Sequence, residues 1–474
     1  MKIAFYTLGC KTNQYETQAM EQIFAEKGHE ICTFDQICDG YIINTCSVTA
    51  VADKKNRAVI RRCRKENPEA VIGVCGCYSQ HDADAVRALG VDVLGGSGGR
   101  EEFVNLMISA LQNLPLGGKV PNECEADEGQ KNDHPSSGKN QRFLPASPQG
   151  EARESLDQAL SRRAFEILPA GGLEGRTRAM LKVQDGCVNF CSYCIIPYTR
   201  GPVRSAPLDV IVAQARELAE KGYKEIIVTG IEIASWGVDL PGKPPMSTML
   251  SAICEAVPQM RIRLGSLEPR VITEKFCEKM MKYPNLCPQF HLSMQSGCDT
   301  VLARMKRKYD TARYDESVQL LRKYFPNCAI TTDMIVAFPG ETEEEFQESL
   351  AFIRKCAFAD MHIFPYSRRP GTPADKMPGQ HNNATKEERS RRAISVAEKM
   401  NLAYRRSLVG SEQEVLFEET EGDFDTGHAP NYMKVYVPAT GRHNEVLPVT
   451  ITGIHEDGLL GEERLPLGEA GKNL

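Results

Sequence analysis

Three cysteines stand close together in DGCVNFCSYC: Cys187, Cys191 and Cys194, spaced C-x3-C-x2-C. Three thiolates within eight residues can wrap one face of an iron–sulfur cubane and leave its fourth iron without a protein ligand. A structural zinc ion would need a fourth ligand, and no further Cys or His lies nearby. A disulfide does not suit a reducing compartment. Three more cysteines are far apart but share a context. Cys10 follows the apolar run Ile3–Leu8, Cys46 follows GYIINT, and Cys77 ends AVIGVCGC. One such cysteine is weak evidence, because Cys is among the most buried residue types. Three at the same end of neighbouring parallel strands point to a metal or cluster site rather than scattered core thiols. Cys75 shares the strand face of Cys77 and is the rival ligand; Cys77 is preferred for its place at the tip, within GCYSQ.

The elements that must position these thiols can be read from periodicity. Strands over Ile3–Leu8, Gly40–Thr45 and Ala70–Gly76 alternate with helices over Asn13–Lys27 and Ala50–Glu66, which predicts a parallel sheet in an α/β domain over residues 1–114. Residues 115–175 are rich in Pro, Gly, Ser and charge, the composition of a flexible linker, with one short amphipathic helix expected over Asp157–Leu168. Residues 176–406 give six strand–helix units, with strands at Ala179–Gln184, Glu225–Thr229, Arg261–Gly265, Gln289–Gln295, Ala329–Val336 and Asp360–Tyr366. That count suggests an incomplete (β/α)6 barrel with its site at the carboxyl ends of the strands, and DGCVNFCSYC falls just past the first. Residues 407–474 change to short alternating strands with Gly, Pro and Asn turns, which predicts a small antiparallel β-barrel.

Bulk properties set the limits. A chain of 474 residues is too long for one core. Seventeen cysteines, an odd count in so large a chain, suit reduced thiols, some of them holding metal. No run approaches the roughly 18 apolar residues that span a bilayer, so no membrane association is expected, and the cytoplasm is the expected location. The net charge of −6 would repel a polyanion, so nucleic-acid binding has to rest on local basic patches. KKNRAVIRRCRK, Lys54–Lys65, holds seven Lys or Arg in twelve positions. Arg368, Arg369, Arg389, Arg391, Arg392, Arg405 and Arg406 are further candidates.

The cysteine motif, with Tyr193 before its last Cys, resembles the radical S-adenosylmethionine (SAM) enzymes. YTLGCKTNQYE, NTCSVTAVADKK, GCYSQ, VTGIEIASWG, LGSLEP, HLSMQSG, DMIVAFPGETEEEF and FPYSRRPGTPA narrow the resemblance to the methylthiotransferases. LGCKTNQYE with NTCSVT looks like the branch acting on tRNA N6-threonylcarbamoyladenosine. The resemblance implies two [4Fe-4S] clusters, one on Cys187, Cys191 and Cys194 that cleaves SAM to a 5′-deoxyadenosyl radical, and an auxiliary one on Cys10, Cys46 and Cys77 that holds sulfur. It implies a C-terminal TRAM module, a tRNA anticodon stem-loop as partner, and external electron and sulfur donors. The product would be a methylthio group on C2 of threonylcarbamoyladenosine at tRNA position 37. An aromatic C–H offers no acid proton at neutral pH, and acid–base gains of about 10²–10⁴-fold fall short, so cofactors must carry the step.

Other roles are implied residue by residue. Tyr193 would lie near the cofactor adenine, and Gly230 and Ser266 would approach its methionine and ribose. Glu268 and Gln295 suit hydroxyl contacts, and Arg307 suits the methionine carboxylate. Each has a capping or salt-bridge alternative. Glu232 departs from the His or Asn expected after TGI, and the linker is longer than the family's. In the terminal barrel Tyr432, Lys434 and Tyr436 alternate as a surface for a folded anticodon loop. The alternatives are the same chemistry on isopentenyladenosine or on a ribosomal-protein Asp, and a non-catalytic iron–sulfur RNA-binding protein.

Overall fold

The computed structural model describes residues 1–113, 142–143, 164–172 and 176–463. The chain divides into two compact units, residues 1–47 with 51–156, and residues 48–50 with 157–474. The first is a six-stranded parallel sheet: β1 Lys2–Thr7, β2 Glu30–Cys32, β3 Gly40–Thr45, β4 Val71–Gly76, β5 Val93–Leu94 and β6 Arg142–Phe143, in the order β2–β1–β3–β4–β5–β6. Every residue of β3 and β4 is buried, which is why both read as continuous apolar runs. Helices α1 Lys11–Glu26, α2 Ala50–Glu66, α3 Cys77–His81, α4 Ala83–Arg87 and α5 Arg100–Gln112 follow the strands. A buried Arg100–Glu16 ion pair of 2.6 Å ties α5 to α1.

Strands β2 and β5 have three and two residues, too short for a period to register. Most of the segment read as a linker, and residues 157–163 of the helix expected within it, lie outside the described residues. What is described there is ordered by pairing: β6 adds to β5 through Val93↔Arg142 and Leu94↔Phe143. Residues 164–168 run as irregular backbone rather than helix. Gln214 donates to Leu168 O at 2.8 Å, and the Tyr223 hydroxyl donates to Gly171 O at 2.6 Å.

In the second unit β7 Arg178–Lys182 is followed by the two-residue ribbon β8 Gln184–Asp185 and β9 Arg204–Ser205. Then come β10 Glu225–Thr229, β11 Arg261–Leu264, β12 Gln289–His291, β13 Ala329–Val336 and β14 Asp360–Pro365. Strands β7, β10 and β11 form one parallel sheet, and β12, β13 and β14 another. Bridges Ile262↔Leu286 and Leu267↔Leu292 carry the pairing from β11 to the segment around β12, which makes six strands of an incomplete barrel. Strand β12 stops four residues before the expected end, ahead of Gln295 with its left-handed φ of 68°. No helix among the described residues is long and apolar enough to cross a membrane.

The chain ends in a closed five-stranded barrel, β15 Glu412–Glu421, β16 Phe424–His428, β17 Lys434–Pro438, β18 Val446–His455 and β19 Gly458–Glu463. It is antiparallel except for β17 with β19, which run parallel. This module grips the amino ends of β7, β10 and β11. Arg263 makes two bonds to Glu225, at 2.6 and 2.9 Å, with both side chains buried, and a third to Pro430 O at 2.9 Å. The Arg263 guanidinium lies 4.6 Å from the Tyr432 ring, which also stacks on His428 at 4.8 Å. Tyr432 is therefore a clamp between barrel and module, not part of an RNA-facing row. Removing one partner of a fully buried pair leaves an uncompensated charge, so Glu225→Ala should lose about 3–5 kcal/mol. Denaturant unfolding of the holoprotein checks this; a change below 1 kcal/mol would show that the pair does not hold the module.

Candidate active site

The N-terminal thiols are positioned by strand register. Thr7 pairs with Asn44 across β1 and β3, Asn44 with Cys75 and Thr45 with Gly76 across β3 and β4. Cys46 and Cys77 are each the next residue after the Thr45–Gly76 rung, and Cys10 follows β1 by three residues. A Cβ on Gly9 would stand 3.2 Å from Cys46 Sγ, so the Cys10 turn lies directly against Cys46. Asn13 donates to Leu8 O and Thr45 O, both at 2.9 Å, and the Cys10 thiol approaches Asn13 Oδ1 at 3.8 Å. Asn56 donates to Cys46 O at 2.7 Å, and Ser79 donates to Gly76 O at 3.0 Å. Three polar side chains of unremarkable sequence, Asn13, Asn56 and Ser79, thus fix the three thiol-bearing turns. Periodicity could not show this.

Gly76 sets Cys75 and Cys77 apart. Its φ of +106° breaks the strand alternation, and a Cβ there would stand 2.4 Å from Thr45 O. The two cysteines therefore do not share a face. Cys75 stays inside the strand, its Cβ beside Gly95 where the Phe103 ring of α5 also packs. Cys77 opens α3 at the strand tip. Cys10 is exposed, and Cys46 and Cys77 are buried.

In the barrel the three-cysteine loop leaves β7 through an anchor that the motif alone did not reveal. Asp185 takes Lys182 at 2.7 Å, Arg200 at 3.2 Å and Arg204 at 3.5 Å, and accepts from Gly186 N at 2.7 Å. Cys187 N donates to Gly201 O and Cys194 N to Cys191 O, each at 3.0 Å. Ser192 ties the loop's middle to Met305 O and Arg304 O at 3.0 and 2.8 Å. Arg307 donates to Cys191 Sγ at 3.0 Å, while its Nε binds the Tyr309 hydroxyl at 2.9 Å. That hydroxyl in turn reaches Ser293 O and Met294 O. Burial pushes the Cys187 and Cys194 thiols up to about 11 and about 12; Cys187 also feels Cys191, and Cys194 feels both Cys187 and Cys191, with Arg307 acting the other way on each.

The remaining predicted residues divide. Tyr193 lies beside Arg307, Cys191 and Cys194, its ring 6.4 Å from Phe338, and burial raises its hydroxyl. Gly230 packs against Gln184, whose Oε1 accepts from Glu232 N at 2.8 Å. Ser266 is exposed at the end of β11. Glu268 holds Arg270 at 2.8 and 3.0 Å, and Gln295 bridges Met334 through its backbone. Glu232 has a buried Oε1 without a partner, and burial with the nearby Glu268 pushes its carboxyl up to about 7. Tyr309 and Asp185 were missed; a Tyr two residues after Arg307 and an Asp two before Cys187 were the only signals.

Among the described residues no three His, Cys, Asp or Glu are grouped tightly enough for a single ion. The three thiolates of a cubane each take a different iron, and two sets of three soft sulfur donors on fixed turns suit that group.

Comparison with known proteins is decisive. Residues 181–353 match the Radical SAM superfamily, and residues 2–95 match the uncharacterized protein family UPF0004. The chain is 37% identical over 445 residues to the Bacillus subtilis threonylcarbamoyladenosine tRNA methylthiotransferase MtaB, covering 92% of this chain and 90% of that protein. The Thermotoga maritima protein of the same name is 32% identical, over 96% of this chain and 95% of its own. The chain belongs to the tRNA methylthiotransferase family of the radical SAM superfamily. The structure of a radical SAM methyltransferase, TsrM from Kitasatospora setae, has a TM-score of 0.54 and 14% identity over 89% of this chain and 79% of that chain, a likeness of fold alone. Both cysteine triads of this methylthiotransferase lie inside the matched segments.

Cys77→Ala should leave the anaerobically reconstituted protein with about four irons instead of about eight, whereas Cys75→Ala should keep about eight. Iron and sulfide analysis decides; the reverse pattern would make Cys75 the ligand.

Proposed function

We infer that the chain is an enzyme that inserts a methylthio group at C2 of N6-threonylcarbamoyladenosine at position 37 of tRNA. The observation that carries this is 37% identity to a protein of that activity along 90% of its length, with strand-end thiols in the first unit and the three-thiol loop in the barrel. Cys187, Cys191 and Cys194 would hold the [4Fe-4S] group that binds SAM, and Cys10, Cys46 and Cys77 a second one. When bound, these groups supply the one-electron and sulfur chemistry that an unactivated aromatic C–H requires.

The chain's own residues then do three things. The Asp185 anchor and the Ser192 bonds hold the loop rigid before any ligand arrives, which keeps positioning free of reorganisation. Arg307 lies beside the thiols as a fixed positive charge, with one edge on Tyr309 and one on Cys191. Tyr193 closes the thiol loop against Phe338 and Tyr366.

RNA contact rests on what the fold leaves exposed. Of the basic residues on α2, Arg57 binds the Tyr78 hydroxyl, Arg64 binds Asp92 and Arg62 approaches Glu66. Lys54, Lys55, Arg61 and Lys65 remain exposed. Arg389, Arg392 and Arg405 are held by Glu341, Glu343 and Glu456 O, so the last barrel helix offers fewer cations than its sequence suggests. On the terminal barrel Phe424, Tyr436 and His455 pack ring to ring at 4.8–5.9 Å, with Lys434 over Tyr436. Tyr436 is buried and Lys434 is held by Glu421 at 2.8 Å, so the half-buried Phe424 and His455 rings are what this face offers to unstacked bases of a loop. The setting is the cytoplasm, with an external one-electron donor and a sulfur source.

Deleting the gene should abolish the methylthio form of threonylcarbamoyladenosine in bulk tRNA and leave the unmethylthiolated nucleoside in place, as read by nucleoside mass spectrometry. Persistence of that product, with loss of methylthiolated isopentenyladenosine, would assign the other tRNA substrate.

A further inference from the structure

One guanidinium at this site is fixed in place and has an open edge. The chain leaves the carboxyl end of β11 through Ser266 and Leu267 into the turn Pro269–Val271. Leu267 pairs with Leu292, and the next residues of that segment, Ser293 and Met294, offer the carbonyls that hold Tyr309. The turn is therefore one strand away from the Tyr309–Arg307–Cys191 chain.

Its backbone is tightly held. Arg313 donates to the carbonyls of Ile272 at 2.6 Å and Arg270 at 3.3 Å, and Ser317 donates to that of Pro269 at 2.9 Å. The Arg270 side chain is held too, since its Nε donates to both oxygens of Glu268 at 2.8 and 3.0 Å. Glu268 is only 8% exposed, while Arg270 is 45% exposed. No group among the described residues takes the two Nη nitrogens. The other cations around the loop are engaged: Arg307 on Cys191 and Tyr309, and Lys182, Arg200 and Arg204 on Asp185.

A guanidinium fixed at Nε presents its Nη edge as a planar fork, which matches a carboxylate bidentately. The threonylcarbamoyl substituent ends in a carboxylate; an isopentenyl group has no charge or polar atom to offer. We propose that Arg270 binds the carboxylate of the threonylcarbamoyl group and thereby selects this nucleoside over one with an apolar N6 substituent. Glu268 is then a positioning residue that orients the fork. This rests on the reading of function above.

The test uses the reconstituted holoenzyme and two synthetic anticodon stem-loops, one carrying N6-threonylcarbamoyladenosine and one carrying its methyl ester. Binding is measured by fluorescence anisotropy at fixed salt. A charge-assisted bidentate contact at a partly exposed site predicts that wild type binds the acid about tenfold tighter than the ester. In Arg270→Met the ratio should fall to near one, and Arg270→Lys should be intermediate. Iron content equal to wild type establishes that each variant is folded. A wild-type ratio near one overturns the proposal without any variant, and so does an Arg270→Met protein that keeps the wild-type ratio. Methylthiolation of the acid stem-loop is followed in parallel. No turnover with the acid preference intact would count against the assigned reaction and for the carboxylate site.

Discussion

Parallel strand pairing is the constraint on which everything else depends. It sends the carboxyl ends of neighbouring strands to one edge, so residues separated by tens of positions in sequence become neighbours without any side chain drawing them together. In the first unit the Thr45–Gly76 rung brings the chain positions of Cys46 and Cys77 together, and the Gly9 turn that carries Cys10 lies against Cys46. A slip of one residue in that register would turn one thiol to the opposite face. Hydrogen bonds from Asn13, Asn56 and Ser79 to the turn carbonyls resist such a slip, and they also satisfy backbone groups that burial would otherwise leave unpaired.

The barrel solves the same problem by a different device. All three of its thiols sit on one loop, so the sheet only has to hold the loop's ends. Asp185 does so from the β7 side with three cations around one buried carboxylate, an arrangement whose Coulomb attraction offsets the desolvation of the ions. Arg307 and Ser192 do so from the far side, through the helix end near Met305. The terminal module is fastened to the first residues of β7 and β10 and to β11, at the other ends of the strands that carry the chemistry. Its grip through Glu225, Arg263 and Tyr432 therefore uses no residue of the thiol loop.

Much of this was legible in the sequence because the signals were local. Glu225–Thr229, Ala329–Val336, Gly40–Thr45 and Ala50–Glu66 were each read with the bounds the structure gives them, since buried parallel strands show as apolar runs and amphipathic helices show their period. The cysteines stand out by type and spacing, and strand register places those of the first unit at one sheet edge. What escaped were features made by contact at a distance. Tyr432, Lys434 and Tyr436 alternate along the chain, yet a left-handed φ of 69° at Tyr432 turns it to the barrel clamp. The described end of the helix expected to reach Leu168 lies as irregular backbone, with Gln214 and Tyr223 bonding the carbonyls of Leu168 and Gly171. Several arginines counted as RNA contacts prove to be held by Glu341, Glu343 and Asp92, because charge along a sequence does not reveal whether a partner already holds it.

Two separate three-thiol sites on one chain make a strong physical demand. The measurement that bears on it is Mössbauer spectroscopy with iron analysis of the anaerobically reconstituted protein in which Cys187, Cys191 and Cys194 are all replaced by Ala. About four irons are expected, with the spectrum of a single [4Fe-4S] centre, held by Cys10, Cys46 and Cys77 alone. A triple variant that binds no iron while remaining folded would contradict it.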